Sequence, residues 1–284
     1  DMLKTVEDYL SKEKLDYIGL NEIDADFCRG FLNYLRTAPH SVAKKQEGRT
    51  ISPGCAHHHQ AVLNGALNKA VRDGLIPGNP MKQLDKREKF QPSPEEREFL
   101  TIEEVRTLME TPCTNEQVKK AFLLSCFVGL RLGDVRELTW AKVMNTPDGK
   151  TQYVHVWMEK TQKPINVPLS NEALRYMEKK EDPDAKLFKL PTSDATINYH
   201  IKKWMKAAKI DKKISYHCSR HTFATMMLTL GADLFTTSKL LGHANVTTTQ
   251  IYGKIIDKKT EAVNLVDNLF TPKAEMNDED RTEA

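Results

Sequence analysis

The stretch LLGHANVTTTQIY, residues 240–252, holds one histidine, His243, and one tyrosine nine residues later, Tyr252. Gly242 interrupts the helical periodicity at its start, and a new helix is predicted over 247–256. Taken alone, a tyrosine inside such a helix is ordinarily a half-buried packing residue. Whether Tyr252 packs or reacts therefore depends on what the rest of the chain places beside it.

Helical periodicity dominates around this stretch, with one change of period. YVHVWMEK (153–160) and PINVPLS (164–170) alternate or favour β-branched residues, and TQK joins them, which predicts a short β-hairpin. Helices are predicted over 24–36, 101–109, 116–128, 132–143, 171–180, 194–209, 217–230, 234–241, 247–256 and 259–270. The predicted fold is mainly α with one small antiparallel sheet.

Two domains are predicted from the breaks in this pattern. GLIPGNP ends the amphipathic helix AVLNGALNKAV, and the charged, proline-interrupted KREKFQPSPEERE follows as a linker. A capping box at Thr101–Glu104 opens the next unit. The predicted segments are a helical domain at 1–85, a linker at 86–99, a second domain at 100–273 and a flexible acidic tail at 274–284.

Charge and composition favour a polyanion partner and a reducing compartment. The net charge is +3, and the tail carries five acids and one base, so the rest of the chain carries +7. The five cysteines are scattered and odd in number, which argues against a disulfide framework. No apolar run reaches the ~20 residues of a membrane span, and the N-terminus is unlike a signal peptide, which predicts a cytoplasmic protein.

Several polar residues stand where chemistry is possible, although each has a structural alternative. Arg131 follows the apolar AFLLSCFVGL, and it could cap carbonyls, pair with Asp134 or face an anion in a cleft. His217 and Arg220 share one face at a helix N-terminus, which suits either capping or a phosphate. Lys160 is predicted at the hairpin turn, where lysines are usually solvated.

The combination of these residues is more specific than any one of them. GLRLGDVREL (129–138), EKTQKPINVPLS (159–170), HCSRHTFAT (217–225) and LLGHANVTTTQIY (240–252) resemble the tyrosine recombinase, or phage-integrase, family in residues, order and spacing. The resemblance covers about 100–270, and LNKAVRDGLIPGNP (67–80) is similar to the helical core-binding domain of that family. It implies a two-domain clamp around DNA in a site-specific integrase of a mobile element, without the optional arm-binding domain.

The resemblance also implies a role for each matching residue. Tyr252 is expected to attack a DNA phosphodiester and form a 3′-phosphotyrosyl bond. Arg131 and Arg220 are expected to hold the non-bridging oxygens, and Lys160 to protonate the leaving 5′-oxygen. The remaining expected roles are proton transfer for His217, a phosphate contact for His243 and support for Asp134. His221, one position beyond Arg220, is predicted to pack.

The chemistry needs these residue types and no cofactor. A phosphodiester transition state gains negative charge on its equatorial oxygens, which preorganised guanidinium groups stabilise. Cationic neighbours also make the phenolate of a tyrosine more accessible. The phosphotyrosyl bond conserves the energy for resealing, so neither ATP nor a metal is expected. CAHHHQ, with Cys55, is not predicted to bind metal, because consecutive helical histidines diverge.

Double-stranded DNA is the expected partner. Candidate backbone contacts are Lys44, Lys45, Arg49, Lys202, Lys203 and Lys206, which would add affinity without sequence specificity. The resemblance implies a homotetramer on DNA, in which the apolar face of helix 259–270 docks on a neighbouring protomer, with possible DNA-bending accessory proteins. Two alternatives stay open: a non-catalytic DNA-binding protein of the same fold, and a type IB topoisomerase.

Overall fold

A computed structural model describes residues 2–39, 50–92, 98–178 and 181–253. The chain divides into two compact units, Asp1–Glu96 and Arg97–Ala284. In the described part, no helix is both long enough and apolar enough to cross a membrane. The predicted helix 259–270, the acidic tail and the basic residues Lys44, Lys45 and Arg49 lie outside the described residues.

The first unit is helical. Its helices are α1 (Met2–Lys12), α2 (Ala25–Leu35) and α3 (Pro53–Arg72), with 3₁₀ turns at Leu20–Glu22 before α2 and at Pro80–Gln83 after α3. Asp24 and Ser52 accept backbone N–H groups in the first turns of α2 and α3, as N-cap residues do. Tyr9 of α1 packs its ring on aromatic residues of α2, so the helices share one apolar core.

The second unit surrounds the buried helix α5. Its helices are α4 (Ile102–Glu110), α5 (Glu116–Val128), α6 (Leu132–Arg136), α7 (Asn171–Leu174), α8 (Asp194–Ala207), α9 (Cys218–Thr229), α10 (Leu234–Leu240) and α11 (Thr247–Gly253). The predicted capping box is present, because Thr101 Oγ1 accepts from the N–H of Glu104 at 3.2 Å and the Glu104 carboxylate accepts from that of Thr101. α5 is buried along nearly its whole length between α9 and the sheet.

The sheet has three antiparallel strands in the order β1 (Val143–Asn145), β2 (Gln152–Met158) and β3 (Lys163–Leu169). Val154 pairs with Val167, and the inward side chains of β2 alternate with exposed ones. The predicted hairpin and the mainly α fold with a small antiparallel sheet are confirmed. The pattern of alternating burial explains why the period-two sequence predicted these strands.

The predicted helix 132–143 is wrong. The chain instead forms the short α6, a 3₁₀ turn at Trp140–Lys142 and then β1. The carbonyl of Leu138 and the N–H of Ala141 bond to Leu187 and Pro183, distant in sequence. These long-range backbone bonds replace the local ones that a continuous helix requires.

The predicted helix 171–180 is also too long, because α7 ends at Leu174. The N–H groups of Tyr176 and Met177 bond to carbonyls three residues back, which tightens the last turn and ends the helix. The Tyr176 ring then stacks on Phe127 of α5, at 5.9 Å between ring centroids. Packing against α5 thus sets where this segment leaves helical geometry.

Candidate functional site

A cavity of about 300 Å³ lies in the second unit, where the end of α5, the start of α6, the β2–β3 turn and the start of α9 meet. Four of the residues predicted to act on a phosphate line it together: Arg131, Lys160, His217 and Arg220. Of the described residues, His243 and Tyr252 do not line this cavity. Its other lining residues are Leu130, Leu132, Gly133, Asp194, Asn198, Ser215, Tyr216 and Ser219.

Arg131 reaches the cavity because α5 ends in a left-handed turn. Gly129 caps α5 with φ 69°, and a Cβ at that position would lie 2.5 Å from Cδ1 of Phe223. The chain then turns into α6, with Arg131 at its N-cap and Nη1 3.4 Å from the sulfur of Met158. Of the three alternatives for Arg131, the geometry favours a guanidinium facing a cleft over the two structural ones.

Arg220 is almost fully buried, with 3% of its surface exposed. Its Nη1 donates to the carbonyl oxygen of Gly129 and its Nη2 to that of Leu241, each at 2.6 Å. Burial and the nearby charge of Arg131 lower the pKa of Arg220 to about 10. The side chain therefore stays cationic at neutral pH while it ties the end of α5 to the end of α10.

Lys160 is exposed in the four-residue turn between β2 and β3, as predicted. Asp134 fixes the start of that turn, because its Oδ1 accepts from the N–H of Glu159 at 3.3 Å. Among the described residues, the buried Oδ2 of Asp134 has no hydrogen-bond partner. Asp134 therefore connects α6, which carries Arg131, to the turn that carries Lys160.

His217 precedes α9 as its N-cap residue, and its ring meets that of His221 edge-to-face at 4.6 Å between centroids. His221 is 6% exposed and hydrogen-bonds through Nδ1 to the Tyr252 hydroxyl at 2.6 Å. The prediction that His221 packs is confirmed by its burial, and the structure adds a polar contact that was not predicted from the sequence. This contact could not be predicted from the sequence, because Tyr252 lies 31 residues after His221.

Tyr252 is 3% exposed and packs in a small apolar cluster with Phe223, Leu228 and Leu241. Its hydroxyl meets His221, whose ring in turn meets His217 of the cavity wall. Burial is the main cause of the lowered pKa of Arg220, and Tyr252 acts against it by raising that pKa. The phenol is therefore next to the cavity wall although it does not line it.

His243 is attached to the same short helix as Tyr252. Gly242 adopts φ 63° at the end of α10, and His243 Nδ1 then lies 2.9 Å from Oγ1 of Thr249 on α11. Thr249 is fully buried and was not singled out from the sequence. Its spacing of three residues from Tyr252 is the signal that could have found it, since both share one helix face.

Tyr216, unlike Tyr252, lines the cavity, but its hydroxyl is turned into the core. It donates to the carbonyl of Ala121 and bonds the hydroxyl of Ser125, both at 2.8 Å. Burial raises the pKa of Tyr216 far above its usual range. Tyr216 therefore supports the wall of the cavity and is unsuited to act as a nucleophile.

The predicted DNA-contacting lysines of α8 are exposed. Lys202 and Lys206 line a groove of about 1010 Å³ with Lys209, Lys212 and Lys213, whereas Lys203 lies over the ring of Tyr199 at 4.8 Å. Lys212 pairs with Glu104 at 2.6 Å, so part of its charge is compensated within the protein. This groove is larger than the arginine-lined cavity but offers affinity for an anion and no reactive group.

Within the described ranges, no group of three histidine, cysteine or acidic residues could hold a metal ion. In CAHHHQ, Cys55 Sγ lies 3.7 Å from His59 Nε2 on the next helical turn, and burial lowers the pKa of His59. The described cysteines are free thiols.

Two family models match the two units. The model of the Phage integrase family matches residues 98–259, and that of the Phage integrase SAM-like domain matches residues 1–90. The first match alone covers more than half of the chain and includes the cavity and Tyr252.

Curated relatives match over most of their length. A tyrosine recombinase of Thermosipho africanus is 27% identical over 255 residues, which span 86% of each chain. The tyrosine recombinase XerD of Pseudomonas aeruginosa is 31% identical over 213 residues, 68% of each chain.

Solved structures share the fold. The Tn1549 transposon integrase in complex with transposon right end DNA superposes with a TM-score of 0.66 at 16% identity, over 95% of this chain and 93% of that one. A lambda integrase dimer bound to a core site gives a TM-score of 0.60 at 20% identity, over 88% of each chain.

Proposed function

Because this chain belongs to the phage integrase family of tyrosine recombinases, we propose that it is a site-specific DNA recombinase that cuts and rejoins DNA through Tyr252. The observation that carries this proposal is the cavity that gathers Arg131, Lys160, His217 and Arg220. Three cationic side chains and a histidine around about 300 Å³ are suited to one phosphodiester.

The two arginines stabilise the transition state. As the phosphorus becomes five-coordinate, negative charge grows on its non-bridging oxygens, and planar guanidinium groups donate paired hydrogen bonds to them. Arg220 is held rigidly by two carbonyls, so its remaining N–H groups need little reorganisation when charge develops. Arg131 is half-buried and reaches the cavity from the N-cap of α6, two residues after Gly129, the C-cap of α5.

Tyr252 is the nucleophile. Its oxygen attacks phosphorus and forms a 3′-phosphotyrosyl bond, while the bond from phosphorus to the 5′-oxygen breaks. Lys160 donates a proton to that 5′-oxygen, His217 assists the transfer of the proton that the Tyr252 phenol gives up, and His243 bonds the phosphate. Attack by the 5′-hydroxyl of a partner strand reverses these steps, so the strand is resealed without ATP and without a metal.

DNA is the partner of this reaction. Support comes from the basic groove along α8 and from relatives of the same fold whose structures contain DNA. We propose a helical core-binding domain at 1–85, a linker at 86–99, a catalytic domain at 100–273 and an acidic tail at 274–284. Four protomers exchange strands on DNA, with helix 259–270 docked on a neighbour.

The test uses DNA duplexes of randomised sequence that each carry a nick. When the protein cleaves near the nick, the short strand with the 5′-hydroxyl dissociates, so the cleaved intermediate cannot be resealed and is trapped. Wild-type protein is expected to yield an SDS-resistant protein–DNA adduct, and sequencing of the trapped DNA identifies the target. Tyr252→Phe should bind that target and give no adduct. An adduct with Tyr252→Phe, or binding by wild type without any cleavage, would contradict the proposal.

Relaxation of supercoiled plasmid separates the recombinase from a topoisomerase. A recombinase is expected to act on the trapped sequence and to depend on it. Relaxation of a plasmid that lacks this sequence, by monomeric protein, would instead assign the chain to type IB topoisomerase chemistry.

A further inference from the structure

The hydrogen bond between His221 and Tyr252 joins the first turns of α9 to the helix of the nucleophile. The two atoms, Nδ1 and the phenol oxygen, are 2.6 Å apart, and both side chains are buried. A buried polar contact of this length orders both partners, because breaking it would leave polar atoms without water. The phenol therefore has a fixed direction before any substrate is present.

His221 is itself held on its other side. Its ring meets His217 edge-to-face, at an interplanar angle of 88°, and meets Tyr252 at 46° with 5.6 Å between centroids. His217 and Arg220, one turn of the same helix, line the cavity. The atom that holds the phenol thus belongs to the same rigid turn that presents the phosphate ligands.

A second contact fixes the same helix. His243 Nδ1 bonds Thr249, which lies three residues before Tyr252 and shares its buried face on α11. Two histidine contacts, one from the end of α10 and one from α9, therefore set both the position of α11 and its rotation about its own axis.

We propose that His221 is the positioning residue of Tyr252, and that it orients the phenol toward the cavity through its Nδ1 atom. This inference rests on the proposed function, since it assigns a role to His221 in delivering that nucleophile. The phenol donates to Nδ1 when this nitrogen is unprotonated and accepts from it when it carries the proton. Either arrangement restricts the rotation of the phenol. Without this contact the phenol would adopt more orientations, which would slow its attack on phosphorus.

The test exploits the place of Nδ1 in the side chain. Asparagine puts an amide atom at nearly the position of Nδ1, whereas the amide of glutamine is one bond further out, near the position of Nε2. We compare wild type with three full-length variants, His221→Leu, His221→Gln and His221→Asn. Each is given a saturating concentration of the DNA target identified by the trapping experiment. The measurements are the single-turnover rate of adduct formation, the Kd for DNA and the melting temperature.

His221→Leu and His221→Gln are expected to form the adduct at least about tenfold more slowly, at unchanged Kd, and His221→Asn to recover most of the rate. The matched control is His155→Leu. It removes a hydrogen bond of the same length, 2.6 Å between His155 Nδ1 and Asn166 Oδ1, on the exposed face of the sheet. This control should keep the wild-type rate. Asparagine rescue separates positioning from folding, because all three His221 variants lose the same ring packing on His217.

Three outcomes would overturn the inference. The first is a wild-type rate in His221→Leu. The second is a faster rate in His221→Leu, which would mean that the contact restrains cleavage. The third is a rate in His221→Asn as slow as that in His221→Leu. Failure of the proposed function is a different result, namely that wild-type protein forms no adduct or that Tyr252→Phe still forms one.

Discussion

The guanidinium of Arg220 donates to the carbonyl oxygen of Leu241 at 2.6 Å and so joins the start of α9 to the end of α10. A second bond to the carbonyl of Gly129 adds the end of α5. Three helix ends that carry Arg131, Arg220 and His243 therefore meet at one cation. The residue proposed to hold the phosphate is also the one that holds the walls of its site together.

Arg220→Lys is expected to lower both stability and activity. An ammonium donates from one nitrogen, so it cannot reproduce the bonds that the two separate nitrogens of the guanidinium make to Gly129 and Leu241. Each lost bond to a charged group costs about 1.5–3 kcal/mol. Thermal denaturation should show this loss, and adduct formation should fall at least about 100-fold. Arg131→Lys is the matched variant, since it should lose similar activity with little change in melting temperature. Equal destabilisation of the two variants would contradict the role of Arg220 as a tie.

Gly129→Ala is expected to destabilise the protein more than Gly149→Ala. Both glycines have a positive φ, 69° and 68°, so each substitution costs about 1–2 kcal/mol of backbone strain. Only at Gly129 would the new Cβ meet a buried ring, at 2.5 Å from Phe223, whereas nothing lies within 4 Å at Gly149. Denaturant unfolding should therefore show an additional loss of about 1–3 kcal/mol at Gly129. Identical losses would mean that Phe223 moves aside freely.

Asp134→Ala is expected to slow cleavage by releasing the turn that carries Lys160. The N–H of Glu159 loses its acceptor, so Lys160 is presented less uniformly to the leaving oxygen. Asp134→Asn removes the same negative charge but keeps an oxygen acceptor, so it should retain most of the rate. The single-turnover rate measures both. If the two variants are equally slow, the charge of Asp134 matters and the hydrogen bond does not.

Thr249→Val is expected to slow adduct formation about tenfold without weakening DNA binding. The substitution preserves the shape of the buried side chain but removes the hydroxyl that meets His243 Nδ1. Thr248→Val, on the exposed side of the same helix, is the control and should behave as wild type. A wild-type rate for Thr249→Val would show that this contact does not place His243.

The features that could be predicted from sequence are those with a local cause. The period-two pattern of 153–170 predicted the hairpin. The apolar helix that ends at Gly129 predicted that Arg131 lies at the end of a buried helix. What was missed depends on pairing across the fold. β1 forms because Val143 pairs with Val154, and the polar role of His221 depends on Tyr252, which no local pattern places beside it.

The arrangement of the site divides in the same way. Spacing within HCSRH sets His217 and Arg220 on one helix face, and the cavity contains both. The two carbonyl bonds of Arg220 come from segments 91 residues before it and 21 residues after it, and no spacing rule anticipates them. The contact between Thr249 and His243 is closer in sequence but depends on the turn at Gly242.

The central claim is that Tyr252 forms the covalent bond to DNA, and mapping that bond tests it most directly. Trapped wild-type adduct is digested with protease and nuclease, and the nucleotide-bearing peptide is identified by mass spectrometry. The account predicts a 3′-phosphate on Tyr252 and a free 5′-hydroxyl on the released strand. A modification on Tyr216 or any other residue, or a 5′-phosphate linked to the protein, would contradict it.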